Sequence, residues 1–127
     1  MVQTLLAIAL GSALGGVLRF LLGALVHLWL ARSFPWGTLG VNLIGCTAIG
    51  LAWVLLAARG QDGELARAFV IVGLLGGFTT FSSFAMETLL LVEQHGYARA
   101  AGYVLASVGL CLAGAWAGVA LGRQWLH

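Results

Sequence analysis

The sequence predicts an all-α membrane protein with four transmembrane helices and a break in the third. Three observations lead there. The chain of 127 residues is 61% hydrophobic and only 8% charged, against about a quarter charged in soluble domains, so it cannot clothe a water-facing surface. Four long apolar runs follow one another with short connections, each with the roughly 20 residues that cross a bilayer as a helix. The third run contains Gly73 to Phe84, GLLGGFTTFSSF, which packs three glycines, two threonines and two serines into twelve residues. A plain spanning helix has no need of that cluster. Open sheets would leave unpaired backbone in lipid, so the runs are read as helices.

The first span covers about residues 4–31 and is interrupted only by Arg19. It has no basic region ahead of it and exceeds signal-peptide length, so it reads as a retained helix. The second, about residues 33–58, is free of charge and follows Arg32-Ser33-Phe34-Pro35-Trp36, where Pro35 suits a helix start. Trp29 and Trp36 suit a membrane interface. The third, about 68–93, follows the Arg59–Arg67 connection and meets its first charge inside the span at Glu87. The fourth, about 98–122, follows Gln94-His95-Gly96. The whole chain reads as a single integral membrane domain. An even number of spans places the N-terminus, Arg59, Arg67 and Arg123 on one side and Arg32 and Arg99 on the other. A difference of one arginine specifies orientation weakly, which is compatible with insertion both ways up and antiparallel pairing. Four short helices also leave little protein around an internal path, and a path between two copies is easier to build.

Composition excludes several function classes. Lysine is absent and the six arginines are scattered, so no nucleic-acid surface is expected. Cys46 and Cys111 lie in apolar stretches and read as small core residues, without metal-ligand spacing. Asp62 and Glu64 read as solvated loop charges, His27 and His95 lie toward the interfaces, and His127 is terminal. No nucleophile–base constellation is plausible on these helices, so no enzyme is expected.

The polar residues inside the spans carry the functional reading. Arg19 shares a helix face with Gly11 and Gly15; a charge at that depth faces protein or water. It is either a structural brace or an anion attractor. Thr38, Asn42 and Cys46 recur every four residues. The Asn42 amide can donate to an anion, and it can equally brace another helix. If the third helix opens at Gly76–Thr80, free carbonyls end one half and free amides begin the next. Carbonyls meeting there can hold a small cation, and amide ends favour an anion. Phe81 and Phe84 can share a face beyond the break, among Thr80, Ser82 and Ser83, and aromatic ring edges carry partial positive charge. Glu87 caps the path, pairs with an arginine, or sits at a vestibule. Tyr103, Ser107 and Cys111 recur every four residues on the fourth span, as do Gly114, Gly118 and Gly122. The glycines read as a helix-contact face. Ser107 either completes a polar track or bonds back to its own helix.

Three motifs carry a resemblance: GxxxGxxxRF through Gly11, Gly15, Arg19 and Phe20; WGTLGVNLIGC from Trp36 to Cys46; and GLLGGFTTFSSF from Gly73 to Phe84. Through them the chain closely resembles the small bacterial fluoride channels, the CrcB or Fluc family, over essentially its whole length. The resemblance implies a dual-topology antiparallel homodimer in the lipid of the bacterial inner membrane. It implies two pathways lined by both subunits, through which fluoride leaves the cytoplasm passively and resistance to fluoride follows. It implies that Asn42, Phe81, Phe84, Thr80, Ser83 and Ser107 line the anion pathway. Thr38 and Glu87 fit vestibule or supporting positions, and Arg19 a mainly structural one. The backbone carbonyls of Gly76 and Thr79, from both subunits, are implied to hold a central structural sodium ion (Na+). Ser83 stands where family members often have threonine and keeps the hydroxyl. Two other functions compete. A small multidrug-type proton-coupled transporter would need a membrane-embedded carboxylate, typically in the first helix, where this chain has Arg19. A transport-silent assembly subunit would leave Asn42 and the Thr-Thr-Phe segment idle.

Overall fold

The computed structural model describes residues 1–31 and 33–126, without the side chains of Gln61 and Asp62. The readings placed on Arg32, Asp62 and His127 therefore lie outside the described residues. Among the described residues the chain is all helical, with four helical spans long and apolar enough to cross a membrane. Helix α1 is Val2–Trp29 and α2 is Trp36–Ala57. The third span, Glu64–Glu93, consists of α3 (residues 64–78) and α4 (Phe81–Glu93). Helix α5 is Tyr97–Trp125.

The third span starts earlier than the charge pattern places it. Its first turn is Glu64–Arg67, and Arg67 explains why a charged turn is held in place. Its guanidinium donates to the Leu56 carbonyl at 3.2 and 3.1 Å and to the Gly60 carbonyl at 3.0 Å. Those oxygens lie at and just beyond the C-terminal end of α2, where carbonyls lack intrahelical donors. The middle of α3, Ala68–Leu75, is wound as a wider π-helix, a form that is uncommon and recurs at functional sites.

Lipid offers no hydrophobic drive for helices to associate, so close approach through small residues has to hold the bundle together. A Cβ on Gly11 would stand 2.8 Å from the Leu74 nitrogen, and one on Gly77 would stand 2.7 Å from the Ser12 carbonyl oxygen. Helices α1 and α3 thus touch backbone to backbone and run parallel. A second parallel pair is α2 with α5, which share the most extensive contact in the chain. There a Cβ on Gly118 would collide with the Thr47 carbonyl, and one on Gly122 would stand 2.9 Å from Val54. The small apolar core, with Leu39, Phe84, Leu91, Ala100 and Tyr103, lies where α2, α4 and α5 converge. The outer surface carries exposed Leu10, Leu14, Leu105, Leu112 and Trp116, a coat suited to acyl chains.

Overpacking of this kind costs about 1–3 kcal/mol or more. Gly118→Leu should therefore lower the melting temperature of the purified protein in detergent. Gly109→Leu should not, since a Cβ at Gly109 meets nothing within 4 Å. Equal melting temperatures for the two variants would contradict the packing described.

Candidate functional site: a cavity beside Thr79 and Thr80

Between α3 and α4 the backbone leaves the helical region for two residues. Thr79 has φ −78° and ψ 155°, and Thr80 has φ −149° and ψ 114°. Polar backbone opened at membrane depth needs partners, and neighbouring side chains supply them. The Asn42 Nδ2 donates to the Thr80 carbonyl at 2.9 Å, and the Thr80 amide donates to Asn42 Oδ1 at 2.7 Å. Asn42 therefore braces a neighbouring segment, and one Nδ2–H remains beyond the bond to Thr80. The same Thr80 caps α4: its Oγ1 accepts from the Ser83 amide at 3.2 Å and donates to Ser83 Oγ at 3.1 Å. This satisfies one of the amides that a helix start leaves free. Gly45, facing the segment from α2, leaves room for the Thr79 methyl and the Phe78 ring.

Two carbonyls are affected. The amide that would close a helical turn on Gly76 belongs to Thr80, and it is turned to Asn42 instead. The Thr79 carbonyl accepts a long bond of 3.4 Å from Arg19 Nη1. Arg19 thus reaches across from α1 to the opened backbone. Gly76 is exposed on the outside of the chain. Carbonyl oxygens are the right donor type for a small hard cation, and of these two one is shared with a guanidinium.

A cavity of about 280 Å³ lies against the opened segment, lined by Asn42, Thr80, Phe81, Phe84 and Ser107, with Thr79, Cys46 and Cys111 also in its wall. Phe81 and Phe84 have ring centroids 5.2 Å apart. Their surroundings differ: Phe84 is 8% exposed, whereas Phe81 is 77% exposed at the rim. Ser107 is buried near the Tyr103 hydroxyl, and its Oγ makes no hydrogen bond of ordinary geometry among the described residues. The bond back to its own helix is not made. Buried hydroxyls are usually satisfied, so this one is available to a guest in the cavity.

A second cavity, of about 410 Å³, lies between α1, α2 and α4. Arg19, Thr38, Thr80 and Ser83 line it, together with His27. Glu87 lies at the end of this region. Its Oε1 accepts from Thr38 Oγ1 at 2.7 Å and its Oε2 from the Tyr103 hydroxyl at 2.6 Å. Among the described residues, two hydroxyls hold the Glu87 carboxylate. The sequence places Tyr103 in a series with Ser107 and Cys111 but assigns it no role, although that spacing mirrors Thr38, Asn42 and Cys46 on α2. Matching the two series would have paired Thr38 with Tyr103, Asn42 with Ser107 and Cys46 with Cys111.

These features define a multi-pass membrane protein with opened backbone and a small polar-and-aromatic cavity between its spans. The family model for CrcB-like protein, Camphor Resistance (CrcB), matches residues 6–119. The chain is 45% identical over 116 residues to the fluoride-specific ion channel FluC of Magnetococcus marinus, covering 91% of this chain and 94% of that one. It is 46% identical over 121 residues to the fluoride-specific ion channel FluC of Geobacter sulfurreducens, covering 95% and 98%. With the fluoride-specific ion channel FluC of Paracoccus denitrificans it shares 49% identity over 123 residues, covering 97% of each. The chain belongs to the CrcB family.

Replacing Asn42 by leucine keeps most of the volume and strips the Thr80 amide and carbonyl of their partners. Each unsatisfied buried group costs about 1–3 kcal/mol. Asn42→Leu is therefore expected to lower the melting temperature in detergent and to speed amide hydrogen exchange at Thr80. Unchanged exchange there would mean that the clamp does not hold the segment.

Proposed function

We propose that the protein is a fluoride-selective channel of the bacterial inner membrane, passing cytoplasmic fluoride outward passively and so conferring fluoride resistance. The observation that carries this reading is the unpartnered Ser107 hydroxyl in a cavity shared with the Asn42 amide and the Phe81–Phe84 pair. Together with relatives that are fluoride-specific channels, it favours an anion as guest. A small anion leaving water needs donors that replace its hydration shell. Ser107 offers one O–H, Asn42 its remaining Nδ2–H, and the phenylalanines their electropositive ring edges. Thr80 and Ser83 continue the hydroxyls toward the second cavity, where Arg19 attracts negative charge. Thr38 holds Glu87 at the vestibule, so that the carboxylate's oxygens are already occupied. Sites of modest strength in series let an ion enter and leave.

The pathway is completed by a second copy of the chain, inverted in the lipid. Phe81 supports this: a lining residue 77% exposed in one chain would be enclosed by the surface of a second. The near balance of arginines across the membrane supports insertion both ways up. Gly76 supports it too, because its carbonyl lacks the Thr80 amide and lies on the outside of the chain. Two carbonyls from each of two antiparallel chains make a set of hard oxygen donors for a central sodium ion. Such an ion would supply positive charge that holds the two chains together at the opened segment. A proton-coupled multidrug transporter is not favoured, since the first span carries Arg19 and no carboxylate, and the relatives are fluoride channels.

Reconstituted alone in liposomes, the protein should release fluoride without a proton gradient and retain chloride. Equal efflux of the two anions, or none from folded protein, would overturn the proposal. Ser107→Ala should slow fluoride roughly ten- to hundredfold, the loss of one hydrogen bond to a charged group worth about 1.5–3 kcal/mol. Its melting temperature should hold, because no protein partner is lost. Phe81→Ile should slow flux while the copies stay associated on gel filtration. Wild-type rates in both variants would remove these residues from the pathway.

A further inference from the structure

Cys46 and Cys111 have no part in the path described above, yet both stand in the wall of the 280 Å³ cavity. Their placement follows from the register of the parallel helices α2 and α5. Thr38 and Tyr103 meet on one Glu87 carboxylate. One turn on, Asn42 and Ser107 line one cavity. Two turns further, a Cβ on Gly50 would collide with the Ala115 carbonyl. Cys46 and Cys111 fall between these last two levels at the same offset. Both residues are half-buried and outside any disulfide, and their common level brings them to the same cavity wall.

We propose that Cys46 and Cys111 form a two-thiol site for a soft, two-coordinate metal cation of the Hg(II), Ag(I) and Cu(I) class. Thiolates select such ions. Two-coordination is what the site can serve: no group of three or more His, Cys, Asp and Glu residues gathers among the described residues, so a four-ligand zinc site is not on offer. Mercury(II), added as its chloride, forms one bond to each sulfur as two chlorides leave, both thiol protons go to solvent, no electron is transferred, and the bis-thiolate product is neutral. The close backbone contacts of Gly50 with Ala115 and of Gly118 with Thr47 lie directly beyond the pair and fix the helices that carry it. A metal bridging the thiols would stand within the cavity and obstruct it. That last step rests on the channel reading; the binding site itself does not.

Titration of the purified protein in detergent with mercuric chloride tests the site. One mercury per chain should consume both free thiols and release two protons, and excess dithiothreitol should restore the thiols. Cys46→Ser and Cys111→Ser should each weaken binding about a hundredfold, as expected when a second, tethered ligand is lost. Two mercury ions per wild-type chain, undiminished binding in either serine variant, or no free thiols before metal is added would overturn the proposal. In liposomes, mercury should stop wild-type fluoride efflux and spare both variants. Stoichiometric capture in a protein that passes no fluoride would overturn the channel reading and leave the metal site standing. Stoichiometric capture with unchanged fluoride efflux would overturn the obstruction.

Discussion

The Asn42 carboxamide meets both backbone groups of Thr80, donating to the carbonyl at 2.9 Å and accepting from the amide at 2.7 Å. In lipid no water stands by to satisfy backbone that has left a helix, and the opened segment exists because this amide offers a donor and an acceptor side by side. Much follows from that exchange. Thr80 is held extended, so its hydroxyl is free to cap α4. The Gly76 carbonyl loses its helical donor. The Thr79 carbonyl turns to where Arg19 can reach it. The cavity beside Phe81 and Phe84 lies on the flank of the same two residues.

Glycine provides the second constraint. The parallel pairs α1–α3 and α2–α5 approach so closely that a single methyl group at Gly11, Gly50 or Gly118 would strike backbone of the facing helix. Dispersion and short contacts have to stand in for the hydrophobic effect within a bilayer. The resulting rigidity sets the register of the polar residues. Thr38, Asn42 and Cys46 therefore meet Tyr103, Ser107 and Cys111 level by level. Glu87 is drawn into this register by two hydroxyls. The interior polar groups of the bundle are thus tied mostly through neutral partners.

Much of this was legible beforehand for physical reasons. Runs free of charge fix the four spans, since a bilayer tolerates little else, and Asn42 stands out because so polar a side chain must have a purpose at that depth. Its particular partner was not legible. Spacing places Asn42 on a face without saying that Thr80 is opposite. Spacing also groups Phe81 with Phe84, but only packing separates a buried ring from one at the rim. Ser107 illustrates the limit well: a helical serine commonly bonds its own backbone, and only the assembled cavity leaves this hydroxyl without a partner. The start of the third span was missed because Arg67 reads as a loop charge until it is seen closing the end of α2.

The exposed ring of Phe81 has a consequence for the living membrane. For a path that needs two copies, an isolated chain conducts nothing. Where chains are sparse, the number of complete paths then rises with the square of their density, until association saturates and the dependence becomes linear. A cell making few copies would gain protection later than the amount of protein implies. Under the inverted pairing proposed above, a chain would find a mate only among those inserted the other way up, and the balance of orientations would become as important as the quantity made.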